Sequence, residues 1–558
     1  MDEENRHSDG YRIPEPPVTA PMATGNELLL DQESDDAGPE KSLFEKTIII
    51  LALCLALFLA ALDVTIVTTA IPAITAHFDS SAGYVWIGSA FLLANAACVT
   101  LWGRFSDIFG RKPTLLAPVA IFWIGSLLCA VSVSIGMLIG GRAVQGAGAS
   151  GLIVLPNICI ADLFSMRTRG IFYGVMGVVW AVASTLGPVL GGLFAEKVSW
   201  RWCFYINLPL SGFALVNLSI FLKVHNPKTP LKQGLAAIDW VGCFTIIGGV
   251  LMVFMGLELG GSTFPWKSAT TICLLVFGAV TIGLFAYNER RFALYPIMPT
   301  SLFRHRTSVI CFALSFLHAG VFMAGNFYLP LYFQGCIGAT PLQSGVYILP
   351  FAIAIAVSEI SVGWYNKHTG GYVLPIVVGM AGTVLGYGLF VDLGWEKNWY
   401  KIIIYQIVAG FALGFNFQQP LVALQSTLKP HEMGSATATV ALFRQLGTST
   451  TVTIGGVIFN NRMSKQYSFL ESALGRDLAL KLSGPNATRN VDLARSLTGH
   501  DGDVVKQAYW DAMRVMFIVY LALACLGLVI TPFITKTKLT DEHREHRTGL
   551  ASLKPEKR

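Results

Sequence analysis

Charge is what this chain has least of. Only 13% of its 558 residues are Asp, Glu, Lys or Arg, about half the share of a soluble domain, so it cannot clothe a water-facing globule of that size. Nor is the charge one-sided: 40 cations against 34 carboxylates leave +6, spread over many positions, and no basic stripe marks nucleic acid as a partner. The ten cysteines form no CxxC pair, and Cys54, Cys98, Cys129, Cys159, Cys243, Cys273, Cys311 and Cys525 all sit in apolar runs, where a thiol acts as a small hydrophobe. Cys203 and Cys336 fall near the ends of such runs, and the sequence argues neither for nor against bridging them. No GxxxxGK loop and no HExxH helix occurs, and of ten histidines only His543 and His546 are close together. Direct ATP drive, a metal centre and a cofactor therefore find no motif. A channel would need a repeated pore loop or a ring of like residues, and none is present.

In place of charge there are long apolar runs. Hydrophobic residues make up 53% of the chain and its mean hydropathy is +0.57. Runs of about twenty apolar residues, enough to cross a bilayer core, recur along most of its length. Fourteen spans are predicted. The first seven lie at about 47–71, 84–103, 113–133, 135–160, 170–194, 203–222 and 238–258. The others lie at about 268–287, 308–331, 342–363, 372–391, 400–424, 437–459 and 512–533. The expected fold class is thus an all-α polytopic membrane protein.

Lys and Arg in short loops set the orientation of such a chain. One side would carry Arg104, Arg111, Lys112, Arg167, Arg169, Lys223, Lys228, Lys232, Arg290, Arg291, Arg304, Arg306, Lys367 and Lys429. The other would carry only Lys197, Arg201, Lys267, Lys397 and Lys401. Fourteen against five places both termini in the cytosol. Trp200, Trp202, Trp266, Trp395 and Trp399 agree, falling at outer span ends where indoles favour the interface. Residues 1–45, with the acidic run DQESDD and no n-region followed by an h-region, read as a disordered cytosolic tail, not a signal peptide. Residues 536–558 read as a second cytosolic tail. The polar stretch 460–511 then lies outside, and its Asn486-Ala487-Thr488 is a glycosylation sequon. Asn217-Leu218-Ser219 also fits the pattern but lies inside span six.

A repeat is legible in the spacing. Arg142, Gly146 and Pro156 match Gln406, Gly410 and Pro420 at a shift of 264, as Gly170 matches Gly434. Ala183, Gly187 and Gly191 match Gly447, Thr451 and Gly455 at the same shift. Gly103 and Gly110 match Gly363 and Gly370 at 260. The predicted division is a six-helix bundle at 46–225, a linker with two extra spans at 226–300, and a second six-helix bundle at 301–535. Bundles of this kind rock about a site at their interface. The two are not chemically equal: Asp107 becomes Lys367, Arg111 becomes Gly371, and Arg142 becomes Gln406.

Five stretches carry a family likeness: GRFSDIFGRK (103–112), RAVQGAGASG (142–151), STLGPVLGG (184–192), LDVTIVTTAIP (62–72) and WRWCFYINLP (200–209). Together they resemble the major facilitator superfamily, in particular its fourteen-span drug:proton antiporter branch common among fungal efflux pumps. The likeness covers about residues 45–535. It implies the major facilitator fold, two six-helix bundles plus two extra spans, and a proton-coupled exporter, not an enzyme. Sparse charge within the spans points to a small hydrophobic organic substrate: a toxin, drug or secondary metabolite. A carrier of basic amino acids or metal chelates is the alternative, and it would need more cavity carboxylates than Asp63, Glu359 and Glu258. Protons and the lipid bilayer are the other expected partners. A monomer in the plasma membrane is expected, with the vacuolar membrane as the second possibility.

Residue roles follow. Asp63 interrupts an apolar span, where desolvation disfavours an unpaired carboxylate, and is the expected proton carrier; hydrogen bonding to a neighbouring helix is its plainer role. Its repeat counterpart would be Met323 or Phe327. Arg142, buried in apolar sequence, either couples to Asp63 or makes a structural ion pair. Gly103, Arg104, Asp107, Gly110, Arg111 and Lys112 form the expected cytosolic gate. Its glycines allow close helix approach, its cations meet carboxylates or lipid phosphates, and Asp107 seats at the N-terminus of span thirteen near Gly434 and Ser435. Plain topology would explain the cations but neither Asp107 nor the glycines. In span five, Gly187 and Gly191 make a smooth packing stripe and Pro188 frees the Ser184 carbonyl. The resemblance marks Gly187, Pro188, Gly191 and Gly192 as the antiporter helix motif. Trp180, His318, Glu359 and Arg444 are possible cavity residues. Packing explains Trp180 and His318 as well, and Glu359 and Arg444 lie near enough to span ends to reach water.

Overall fold

The computed structural model describes residues 43–79, 83–222, 227, 229–261, 264–429, 432–541 and 549. The reading of residues 1–42, and of most of 542–558, falls outside the described residues. Leu43–Phe78 (α1), Gly83–Phe109 (α2), Arg111–Ala130 (α3), Ile135–Leu163 (α4) and Arg169–Lys197 (α5) are followed by Trp202–Tyr205 (α6), Asn207–Phe221 (α7) and Leu231–Ala236 (α8). Trp240–Leu259 (α9) and Ala269–Arg291 (α10) come next. Arg306–Gly335 (α11), Pro341–Tyr347 (α12), Leu349–Thr369 (α13), Val373–Phe390 (α14), Trp399–Asn416 (α15), Gln419–Gln425 (α16) and Met433–Lys465 (α17) follow. Tyr467–Leu474 (α18), Arg476–Leu482 (α19), Pro485–Arg489 (α20), Val491–Ser496 (α21) and Gly499–Ile530 (α22) complete the chain. Among the described residues, the only β pairing is an isolated bridge between Gly260 and Phe264.

Thirteen helical segments among the described residues are long and apolar enough to cross a membrane. The predicted span 437–459 lies within α17, which is 33 residues long. Its run of Gly, Ser and Thr keeps it below the apolarity of the others. Two predicted boundaries are corrected. The stretch 460–511 is not an open loop, since α17 runs on to Lys465, α18–α21 are short helices, and α22 starts at Gly499. Predicted span twelve is broken: α15 ends at Asn416 and α16 starts at Gln419. Pro420 has no amide for the Asn416 carbonyl, so the α-helical ladder stops there.

The repeat reappears as packing. In the first set α2 and α3 each pack on α4, and α3 on α7; in the second, α13 and α14 each pack on α15, and α14 on α22. Gly146 and Gly410 hold the same position in each set. A Cβ on Gly146 would strike the Phe91 carbonyl, and one on Gly410 the Phe351 carbonyl. Gly110 and Gly370, at φ of 89° and 66°, make the corresponding turns that end α2 and α13, where a side chain would be strained. The α9–α10 hairpin packs on itself, with α9 against α2 and α17.

Between the sets, α2 crosses α17 and α5 crosses α13 through paired glycines. A Cβ on Gly103 would lie 2.7 Å from the Gly434 carbonyl oxygen, and one on Gly363 would lie 2.5 Å from that of Gly170. Both crossings lie at the same end of the bundle, which they close.

A strap fastens that end. After α22 and a 3-10 turn at Thr531–Phe533, residues 534–541 carry neither helix nor strand. The Thr307 hydroxyl donates to that of Thr535 (2.7 Å), and the Tyr372 hydroxyl bonds the Thr535 carbonyl (2.7 Å) and the Thr537 hydroxyl (2.6 Å). The Leu539 amide donates to the Gly370 carbonyl (2.9 Å) while its own carbonyl accepts from Arg167 Nε (2.9 Å). One residue is thus tied at once to the α13–α14 turn and the α4–α5 turn.

Candidate functional site

Asp63 stands midway along α1 and is fully buried. It is paired, and Arg142 is among its partners. Arg142 of α4 forms an ion pair with its Oδ2. Its Oδ1 accepts from Gln145 Nε2 (2.6 Å) and from Asn207 Nδ2 (2.8 Å). Arg142 is held in turn: Nε donates to the Ile87 carbonyl (3.0 Å), a terminal nitrogen donates to Gln145 Oε1 (2.8 Å), and the guanidinium lies 4.3 Å from the Phe91 ring centroid. Gln145 Nε2 also donates to Ser126 Oγ (2.9 Å). The nest therefore draws on α1, α2, α3, α4 and α7. Every partner of the Asp63 oxygens is a donor, so each of these bonds is strongest while the carboxylate is charged.

Trp180 packs half-buried beside Ala61, Leu62 and Ala183, next to the nest. The α5 stripe is real at two positions. A Cβ on Gly187 would strike Thr65, one on Gly191 would strike the Ile66 carbonyl, and Gly192 faces open space. The Thr69 hydroxyl reaches the Pro188 carbonyl (3.3 Å).

The α1–α5 contact also corrects the repeat. Thr65 sits on Gly187 and bonds the Ala183 carbonyl (3.5 Å), while Gly320 sits against Thr451 and the Gly447 carbonyl. The threonine and glycine are exchanged between the two contacts. The shift for this helix is therefore 255, and the counterpart of Asp63 is His318, not Met323 or Phe327.

His318 is buried, its Nε2 2.8 Å from the Leu413 carbonyl oxygen. That carbonyl loses its helical partner because the Phe417 amide turns to Gly414 at the break before α16. Arg444, half-buried, donates to the next exposed carbonyl, Phe417, and reaches Gln418 Oε1 at 3.4 Å. Both side chains thus repair a broken helix, as non-helical backbone at membrane depth requires. Arg444 does this in place of reaching water. Glu359 is not at water either: it is 5% exposed, wedged on Gly177, and its Oε2 has no hydrogen-bond partner.

At the closed end, Asp107 meets the first turn of α17 as expected. Its Oδ2 accepts from the Ser435 hydroxyl (3.3 Å), and any side chain on Gly434 would strike its Oδ1. Arg111 bonds Asp107 Oδ1 (2.8 Å), Ser106 Oγ (2.8 Å) and Asp162 Oδ2 (2.5 Å). Arg104 is buried within 5.9 Å of the Tyr295 ring centroid, and Lys112 donates to the Ser219 carbonyl (2.6 Å). Asp107 is buried, whereas Lys367, its repeat counterpart, is exposed. A further bridge was not foreseen: Arg169 Nη1 and the Tyr173 hydroxyl both donate to Gln425 Oε1 (2.9 and 3.2 Å).

Asp162, Gln145, Asn207 and Ser126 were missed from sequence. Asp162 had a signal, as the one carboxylate in LIVLPNICIADLF, and Gln145 and Asn207 lay inside quoted motifs without a role. Ser126 gave none. Cys203 and Cys336 are both free thiols in different core clusters. Asn486 is exposed on α20, its Nδ2 donating to the Leu480 carbonyl (3.1 Å). Among the described residues no group of three His, Cys, Asp or Glu side chains can hold a metal ion.

A buried acid–guanidinium nest, glycine-sealed crossings and a helical repeat fit a membrane transporter. The chain belongs to the Major Facilitator Superfamily, which residues 53–451 match. It is 46% identical over 545 residues to the MFS-type transporter ppz2 of Metarhizium majus, covering 98% of this chain and 94% of that one. It is 48% identical over 507 residues to the efflux pump dotC of Dothistroma septosporum, covering 91% and 87%. The proton:xylose symporter XylE shares the fold, with a TM-score of 0.56 at 14% identity over 88% of this chain and 96% of that one. The protein is a multi-pass secondary transporter with efflux pumps among its relatives.

Proposed function

We propose that the protein exports a small hydrophobic organic compound in exchange for protons, by alternating access between bundles 46–225 and 301–535. The Asp63 nest is the observation that carries this reading. Protonation removes the negative charge on which its three donors converge, and the weaker bonds that remain loosen Arg142, Gln145 and Asn207. Protonation thus changes the polar contacts between α1, α4 and α7, the structural coupling an antiporter needs. The closed end is the second element. Opening it must part Asp107 from Ser435, Gly103 from Gly434, and Arg169 from Gln425.

On this reading the closed end and both termini face the cytosol, Asn486 carries a glycan on the other side, and the protein acts as a monomer in the plasma membrane. Efflux pumps among the relatives support export. Carriage of basic amino acids or metal chelates has less support. Of the three carboxylates such cargo would call on, Asp63 is taken up by the nest and Glu258 accepts from Ser89 (2.5 Å), which leaves Glu359.

The test is uptake into proteoliposomes of a compound found by resistance screening in a pump-deficient host. Accumulation against its gradient should require an imposed pH difference. Accumulation without one, or equal flux after Asp63→Asn, would overturn the reading.

A further inference from the structure

We infer that the α13–α14 turn carries a binding site for an anionic phospholipid, with one acyl chain in an apolar groove and the phosphate on a basic rim. A groove of about 560 Å³ runs between α13, α14 and α15. Ile360, Trp364 and Tyr365 form one wall and Leu374, Pro375 and Val378 the other. Ile360, Trp364, Leu374 and Val378 are exposed, so the groove opens sideways on the apolar flank of the bundle. Its volume falls within the usual range for a small-ligand site, and at membrane depth its natural occupant is a hydrocarbon chain.

The rim supplies what plain lipid contact lacks. Lys367 and His368 are exposed at the end of α13, and the His368 ring lies 4.3 Å from that of Trp364, which lines the groove. The strap adds two more cations. Thr535, Thr537 and Leu539 bond Tyr372 and Gly370, and Lys536 and Lys538, which lie between them in the chain, are exposed. Among the described residues none of these three lysines makes an ion pair. Apolar walls and unneutralised ammonium groups meet at one turn, the pattern that an anionic headgroup with its chain attached would satisfy. The inference also gives Lys367 a use: where the first repeat places the latch carboxylate Asp107, the second places a headgroup ligand. It does not depend on the proposed substrate or on proton coupling.

The test uses the full chain, purified in detergent and incubated with equal amounts of dioleoyl phosphatidylglycerol and dioleoyl phosphatidylcholine. Lipid retained after gel filtration is counted by mass spectrometry. Phosphatidylglycerol should be retained at least about fivefold over phosphatidylcholine, the share expected for one lysine near the headgroup. The triple change Lys367→Gln, Lys536→Gln, Lys538→Gln should bring the two lipids to parity. Trp364→Ala should lower retention of both. Should the triple variant not elute as a single species, salt decides the matter: the preference of the unaltered protein must fall as ionic strength rises to about 0.5 M. Equal retention by the unaltered protein, a preference that survives the triple change or resists salt, or displacement by an equal concentration of inorganic phosphate would each overturn the proposal. The last would show a phosphate site with no use for the chain.

Discussion

Replacing Asp63 by Asn should damage the fold as well as transport, and the two effects can be separated. The carboxylate accepts from Arg142, Gln145 and Asn207; an amide has a single oxygen and brings two donors of its own. Arg142, 2% exposed, would lose its counter-ion. Stripping one partner from a buried pair costs about 3–5 kcal/mol. Arg142 keeps the Ile87 carbonyl, Gln145 and the face of Phe91, so the lower end, about 3 kcal/mol, is expected. The double variant Asp63→Asn, Arg142→Gln removes the stranded charge and should regain most of that loss, a coupling that a double-mutant cycle isolates. Transport should stay absent in both variants, because neither holds a group that exchanges a proton at position 63. Thermal denaturation of the purified protein reads the first effect, and pH-driven uptake in proteoliposomes reads the second. If the single variant is as stable as the unaltered protein, the nest is not bearing the charge described. If the double variant still accumulates substrate against its gradient, Asp63 is not the coupling residue.

Asp107→Asn removes the anion at the first turn of α17, worth up to about 2 kcal/mol, and one of the two counter-ions of buried Arg111, which keeps Asp162, and it should lower transport more than Lys367→Gln. Comparable loss from both at equal surface level would count against a one-sided latch. Gly103→Val would press a side chain onto the Gly434 carbonyl, so a cysteine placed at Ala438 should gain reactivity toward a water-soluble maleimide; unchanged labelling would refute a tight crossing. His318→Gln should keep expression and transport within about threefold, while His318→Leu should cost about 1–3 kcal/mol by leaving the Leu413 carbonyl unpaired; equal melting temperatures would show that the repair role is wrong. Asn486→Gln should shift gel mobility as glycosidase does, and no shift in either would mean an unused sequon or an inverted topology.

The spans were legible because twenty apolar residues in a row have few other uses. The repeat was legible where glycine is obligatory: Gly103, Gly146 and Gly363 each sit on a backbone carbonyl, and spacing records that directly. Spacing failed for α1 and α11, because there a threonine and a glycine traded sides, and the eye matched the wrong register. Asp63, Arg142 and Asp107 stood out as charges in apolar runs. Gln145, Asn207 and Ser126 did not, since a neutral side chain among small residues looks like any helix-packing group. Glu359 and Arg444 were misjudged because distance along the chain to a span end says nothing about the helix lying across it. The strap was unreadable for a similar reason: Thr, Lys and Leu in alternation after a span look like any tail, and its partners are more than a hundred residues away in sequence.

The strap has a bearing on how the protein is made. Chains leave the ribosome from the N-terminus, and residues 534–541 follow every predicted span. The helices must therefore be inserted and their glycine crossings met before Leu539 can tie Gly370 to Arg167. A chain stopped after Phe533 would contain every predicted span, yet remain unfastened where α4, α5, α13 and α14 converge. A reporter fused directly after Phe533 would have the same effect, while one placed beyond Asp541 would leave the seam intact. Fusions for imaging this protein should respect that difference, since a bright signal from the shorter one would describe an unlocked molecule.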